Sequence, residues 1–229
     1  MITAFVFPGQ GSQSLGMLSE SAVEVRESFD EASEALGYDL WSLTQNGPED
    51  QLNQTEFTQP ALLTASVALW RLWANEGGSA DFVAGHSLGE YSALVASGAL
   101  SLVDGVRVVQ RRGQLMQEAV PIGQGGMAAV MGLDNVSIDR ACQRACESVS
   151  KGTVQPANLN APGQVVISGT QEALQKASAL CEEAGAKRVV PLNVSAPFHS
   201  ALMEPAAQSL SETLNAVTFS APRIPIVQN

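Results

Sequence analysis

The segment Phe82-Val83-Ala84-Gly85-His86-Ser87-Leu88-Gly89-Glu90 constrains this chain more than any other stretch. The residues from Phe82 to Gly85 read as a short buried strand, and the run from about residue 88 to 97 reads as a helix stopped by Gly98. Between them lies G-x-S-x-G. A glycine two residues before the serine and another two after it let the backbone turn sharply with no side-chain clash. That turn pushes the Ser87 hydroxyl out at the carboxyl edge of a sheet. The helix N-terminus behind it offers unpaired N–H groups and the positive end of a dipole to an incoming oxyanion. The plain alternative is an ordinary strand–turn–helix built of small residues.

Strands and helices alternate around this elbow. Ala4–Phe7 reads as a buried strand ended by Pro8-Gly9, with helical patterns at about 19–36, 59–76 and 102–119. Pro60 suits a first helical turn, Gly77 a stop, and Ser101 an N-cap. The alternation predicts an α/β, α/β-hydrolase-like core with a mainly parallel sheet. After the glycine-rich segment Ile122 to Gly126 the pattern changes. Strands at Met127–Gly132, Val154–Leu159, Gln164–Ser168 and Arg188–Val194 alternate with helices at about 136–148 and 171–184. That order is βαββαβ, the ferredoxin-like arrangement. It is expected to be a small subdomain of residues 126–194 inserted in a core of residues 1–125 and 195–229, to which a helix at about 200–216 and a strand at Ile224–Val227 return.

Composition narrows the classes of function. The 229 residues carry 12 Lys+Arg and 23 Asp+Glu, hence 12 − 23 = −11, with no basic block, so no nucleic-acid partner is expected. With 45% apolar and 15% charged residues the chain is not disordered. The first residues lack the charged start and cleavage site of a secretory leader. The apolar stretch from Ala61 to Ala74 is too short to span a bilayer and is broken by Arg71. A soluble, cytoplasmic protein with no membrane partner is expected. Cys142, Cys146 and Cys181 read as reduced thiols rather than as a metal site.

Two histidines are present, and both stand in motif-like segments: His86 beside the serine, and His199 in Ser195-Ala196-Pro197-Phe198-His199-Ser200. A residue next to an elbow nucleophile points away from it, so His86 is read as structural and His199 as the candidate general base. No triad acid stands on a strand end between Ser87 and His199: Asp104, Asp134 and Asp139 fall at helix starts. Arg112 is the other unusual residue. Its neighbours three and four away on the helix are Val108, Val109, Leu115 and Met116, whereas Arg107 and Arg111 sit among polar groups. A guanidinium on an apolar stripe needs an anion, which is either a protein carboxylate or a carboxylate on the substrate.

Five segments then stand in a telling order: Phe7-Pro8-Gly9-Gln10-Gly11-Ser12-Gln13, Gly85-His86-Ser87-Leu88-Gly89-Glu90, Gln110-Arg111-Arg112-Gly113, Asn158-Leu159-Asn160-Ala161-Pro162-Gly163-Gln164 and Pro197-Phe198-His199. Together they resemble the ordered motifs of the malonyl-CoA:acyl carrier protein transacylases, over the length of the chain. The resemblance implies that Ser87 takes malonyl from coenzyme A as an ester and that His199 is its base. It implies an oxyanion hole made by the backbone N–H groups of Gln10 and Leu88, with Arg112 clamping the free malonyl carboxylate. Gln10, Met116, Asn160 and Phe198 would line the substrate, and Phe198 would crowd an α-methyl group. Asn160 is equally explained by turn chemistry before Ala161-Pro162-Gly163.

The partners so implied are malonyl-CoA and an acyl carrier protein, the latter acidic. Against a charge of −11 it would need a local basic patch, for which Lys151, Lys176, Lys187 and Arg188 are the available cations. No cofactor and a monomeric state are expected. Members of that family usually continue past a strand such as Ile224 to Asn229, and a backbone carbonyl from that later part orients the histidine. Alternative readings are an acyltransferase of polyketide synthesis, a thioesterase-like serine hydrolase, and a carrier-protein binding module.

Overall fold

The computed structural model describes residues 2–121 and 123–229, so Ile122 of the glycine-rich segment lies outside it. In chain order the elements are β1 (Ala4–Phe7), α1 (Ala22–Leu36, entered through a 3₁₀ turn at Ser19–Ser21), α2 (Leu40–Asn46), α3 (Glu49–Leu52), α4 (Thr55–Asn75), β2 (Phe82–Gly85), α5 (Gly89–Ala96) and α6 (Leu102–Glu118). Then follow β3 (Gly125–Met131), α7 (Asn135–Ser148), β4 (Val154–Ala161), β5 (Gln164–Thr170), α8 (Gln171–Glu183), β6 (Arg188–Pro191), α9 (Glu204–Asn215, after a 3₁₀ turn at Ala201–Met203) and β7 (Ile226–Val227). The chain packs as two compact units, Met1–Gln114 with Leu210–Asn229, and Leu115–Ser209.

The first unit is built on a parallel sheet in the order β1-β2-β7, as the strand–helix alternation predicts. β1 pairs β2 with Phe7 opposite Gly85, and β2 pairs β7 with Ala84 opposite Val227. Phe7 and Val83 are buried with Ala93 and Ala96 of α5. A larger core gathers Val25, Phe29, Leu40, Leu52, Leu63, Val106 and Val109 from the helices α1 to α4 and α6. The second unit holds an antiparallel sheet in the order β4-β5-β3-β6, whose core joins Val130 and Ile167 to Ile138 of α7 and Ala177 of α8. All three thiols are free. Burial pushes Cys142 up to about 12 and Cys181 up to about 11, which keeps both protonated and inert.

Several element bounds differ from the sequence reading. α4 begins at Thr55, four residues before the expected start, because the N–H groups of Phe57 and Thr58 both donate to the Gln54 carbonyl at 2.9 Å. The Thr58 hydroxyl adds a bond to the Leu52 carbonyl at 2.6 Å. Pro60 therefore stands inside the helix rather than in its first turn. The last strand starts at Ile226 instead of Ile224, since Pro225 offers only its carbonyl, which accepts from Val83 N–H at 3.0 Å. β6 stops at Pro191, and Val194 N–H turns back onto the Leu192 carbonyl at 3.0 Å. The short helices α2 and α3 had no expectation, being too brief to show a period; Asp39 starts the first by accepting from Ser42 N–H at 2.8 Å. Among the described residues no helix is long and apolar enough to cross a membrane.

Candidate active site

The registers place Ser87. With Phe7 opposite Gly85, the chain leaving β1 through Pro8-Gly9-Gln10 and the chain leaving β2 through His86-Ser87-Leu88 depart from the same edge side by side. His86 N–H donates to the Phe7 carbonyl at 3.0 Å, and Gly89 and Glu90 N–H groups fold back onto the carbonyls of His86 and Ser87 at 2.9 and 3.2 Å. Ser87 is thereby held at φ 52°, a left-handed conformation that costs a non-glycine residue about 1–3 kcal/mol. The flanking glycines are required by contact. A Cβ on Gly85 would lie 1.9 Å from the Gly89 carbonyl carbon, and one on Gly89 would lie 2.3 Å from the Phe7 carbonyl oxygen. Leu88, 1% exposed, is the N-cap of α5, where amide groups have no intrahelical partner. His86 lies against the first loop, its Nδ1 only 2.7 Å from where a Gly9 Cβ would be.

Arg112 reaches the serine from α6. Its Nη2 donates to Ser87 Oγ at 3.1 Å and its Nη1 to Gln59 Oε1 at 2.8 Å, while its Cζ stands 5.7 Å from the Tyr91 ring centroid. Arg107 and Arg111 are exposed; Arg107 Nε donates to the Ala35 carbonyl at 3.1 Å and Arg111 Nη1 to Gln114 Oε1 at 3.4 Å. Burial pulls the Arg112 guanidinium below its ordinary pKa, opposed by Tyr91 and by the Glu90 carboxylate acting through space. Tyr91 is raised by its own burial, with Arg112 pulling the other way. The two hydrogen bonds run to neutral oxygens, so this cation is desolvated without direct charge pairing to either of them.

Gln10 lies on the same edge. Its Nε2 donates to Thr55 Oγ1 at 3.2 Å, and Thr55 is one helical turn from Gln59 on α4, so Gln10 and Arg112 are held by adjacent turns of one helix. Ser12 Oγ donates to the Gly9 carbonyl at 3.0 Å and Gly11 N–H to Gln13 Oε1 at 2.8 Å, which fixes the loop carrying Gln10.

The remaining expected residues lie in the second unit. Met116 is 8% and Phe198 5% exposed. His199 has φ 58°, and the segment holding it is tied by Ser200, whose Oγ donates to the Pro197 carbonyl at 2.7 Å and accepts from Leu202 N–H at 3.3 Å. Asn160 is exposed and stands on β4 rather than in the loop, at a register shift between Leu159 and Ala161 that makes it the unmatched residue of a bulge. Lys151, Lys176, Lys187 and Arg188 are all exposed. Among the described residues no group of three or more His, Cys, Asp or Glu is arranged to hold a metal.

Sequence reasoning missed Gln59, Tyr91 and Asn229, and gave Glu90 no role. Gln59, fully buried at 0% exposure, had a readable signal: a polar amide just before the apolar run Pro60 to Leu63. Tyr91 and Asn229 carried none.

The arrangement is that of an acyl-transfer elbow, and the comparisons agree. The chain belongs to the acyl transferase domain family, whose model matches residues 4–229. It is 59% identical to the malonyl CoA-acyl carrier protein transacylase of Salmonella typhimurium over 99% of this chain and 74% of that protein. The enzyme of the same name from Escherichia coli is 58% identical over the same shares. Among solved structures it is similar to a malonyl-transacylase in complex with its type II PKS acyl-carrier protein (53% identity, TM-score 0.97, 100% of this chain and 74% of that one). It is also similar to the malonyl CoA-acyl carrier protein transacylase of Coxiella burnetii (48% identity, TM-score 0.97, 100% and 73%).

The elbow makes a sharp demand at one atom. Gly85→Ala must displace the Gly89 backbone, so it is expected to destabilise the protein by about 1–3 kcal/mol or more, the range for overpacking. Urea unfolding checks this; a variant as stable as the parent would mean the elbow is not packed as described.

Proposed function

We propose that this chain transfers malonyl from malonyl-CoA to the phosphopantetheine thiol of an acyl carrier protein through a malonyl-Ser87 ester, supplying fatty acid synthesis. The observation that carries the reading is the guanidinium of Arg112 3.1 Å from Ser87 Oγ, desolvated and held by neutral oxygens. In a malonyl thioester one methylene separates the reacting carbonyl from a free carboxylate. A cation beside the nucleophile is therefore where that carboxylate arrives when Oγ attacks. A bidentate guanidinium–carboxylate pair then orients the carbonyl for attack. Relatives with transacylase names at 58–59% identity support the same substrate and acceptor.

In this reading His199 is the general base that takes the Ser87 proton and later that of the incoming thiol. The N–H groups of Gln10 and Leu88 receive the oxyanion. Met116, Phe198 and Asn160 border the acyl group, with Gln10. The ester forms as the coenzyme A thiolate leaves, and attack by the phosphopantetheine thiol releases the serine, so the exchange is ping-pong and needs no cofactor. Residues 1–125 with 195–229 serve as an α/β-hydrolase-like core, and residues 126–194, whose βαββαβ order and β4-β5-β3-β6 sheet fit a ferredoxin-like subdomain, are the insert. Lys151, Lys176, Lys187 and Arg188 are the cations offered to an acidic carrier protein. The protein works as a cytoplasmic monomer.

Incubation with malonyl-CoA should add one malonyl group to the intact protein, seen by mass spectrometry, and the adduct should vanish in Ser87→Ala. His199→Ala should slow its formation about 10²–10⁴-fold. Free malonate released at the rate of acylation would instead make this a hydrolase.

Arg112→Ala separates the clamp from a structural ion pair. Removing one partner of a desolvated pair costs about 2–5 kcal/mol, so kcat/KM for malonyl-CoA should fall on the order of 10²-fold or more. Acetyl-CoA presents no carboxylate, and its slow transfer should hold steady or rise. Equal losses for both thioesters would remove the clamp from the account.

A further inference from the structure

Asn229 stands two residues beyond the Val227 that pairs with Ala84, so in the parallel β2–β7 ladder it is level with His86. In a parallel ladder, the peptide groups of one residue bond to the carbonyl of the residue before its counterpart and the N–H of the residue after it. Asn229 makes that pattern with its side chain. Its Nδ2 donates to the Gly85 carbonyl at 2.8 Å and its Oδ1 accepts from Ser87 N–H at 3.1 Å. The carboxamide is a side-chain rung that continues the sheet where β2 bends into the elbow.

A carboxamide can be placed either way round, and here Glu90 decides. Glu90, in the first turn of α5, accepts through Oε2 from Asn229 Nδ2 and from the Asn229 backbone N–H at 3.2 Å. Its carboxylate draws the NH₂ end, which leaves the oxygen end for Ser87 N–H. The amide of the nucleophile is thus engaged within the elbow, and an oxyanion has to be met by other donors. The same two bonds bracket His86 and end on the N–H of Ser87, next to the N–Cα bond about which its left-handed φ is measured, so the direction of Ser87 Oγ depends on them.

We propose that Asn229, oriented by Glu90, is a positioning residue for acyl transfer: its carboxamide locks the backbone leading into Ser87, from the Gly85 carbonyl to the Ser87 N–H, and so aims the hydroxyl. The inference rests on Ser87 being the nucleophile. A residue of this kind acts on the rate of the chemical step, with binding of the thioester left as it is.

The test compares the parent protein with Asn229→Asp, which keeps the shape but has no NH₂ donor and repels Glu90, and with Asn229→Ala, which removes the rung. Circular dichroism first establishes that each is folded at the assay temperature. Single-turnover acylation by malonyl-CoA is then followed by quenched mass spectrometry over a range of concentrations. The limiting acylation rate constant should fall about tenfold to a hundredfold in both variants, the scale of a misaimed reacting group. The half-saturating malonyl-CoA concentration should move less than about threefold, and the malonyl-to-acetyl preference set by Arg112 should persist. Acylation at the parent rate in both variants, or a loss confined to half-saturation, would overturn the inference alone. Absence of any Ser87 adduct in the parent protein would overturn the functional reading and the inference with it.

Discussion

The backbone of Ser87 is held at φ 52° between two strands and a helix, and the first unit is arranged to keep it there. Phe7 opposite Gly85 fixes where the two loops leave the sheet, and Phe7 O then accepts the His86 N–H that begins the turn. The Cβ-free faces of Gly85 and Gly89 let α5 start directly against the strand ends. A left-handed serine persists only where its surroundings over-determine it. Here they do so through backbone hydrogen bonds on one side and the Asn229 carboxamide on the other.

The second constraint is electrostatic. A guanidinium carried on the apolar face of α6 is expensive to desolvate, and Gln59 with Tyr91 offsets that cost only in part. Gln59 supplies hydrogen-bond acceptance and Tyr91 its ring, while Glu90 contributes charge at a distance. The result is a cation whose fork is fixed in direction and which, among the described residues, is bonded to neutral oxygens rather than to an anion. In the proposed function a dicarboxylic acyl group would supply that anion, whereas a plain acyl group would leave the cost standing. Selectivity of this kind comes from an unmet polar demand rather than from pocket size.

What could be read from the sequence was whatever local patterns encode. The glycine spacing around Ser87 and the strands Ala4–Phe7 and Phe82–Gly85 coincide with the structure residue for residue. The apolar neighbours of Arg112 marked it correctly as the inward-facing arginine of its helix. The start of α4 was missed because it is set by the Gln54 carbonyl and the Thr58 hydroxyl, whereas Pro60 is the more visible signal. Ala161-Pro162-Gly163 looks like a turn and so predicts a loop at Asn160, yet the strand continues through a bulge to Ala161. Asn229 could not be found at all. Its role depends on a strand pairing across more than a hundred residues, and nothing in Gln228-Asn229 announces which strand β7 will join.

The central claim is that Arg112 receives the carboxylate of the acyl group carried by Ser87. A crystal structure of the protein trapped as its malonyl ester tests it directly. The malonyl carboxylate is expected on the Arg112 fork, both oxygens within about 3.2 Å of guanidinium nitrogens, with Arg112 released from Ser87 Oγ. A malonyl carboxylate pointing to solvent or seated on another cation, with Arg112 elsewhere, would contradict it.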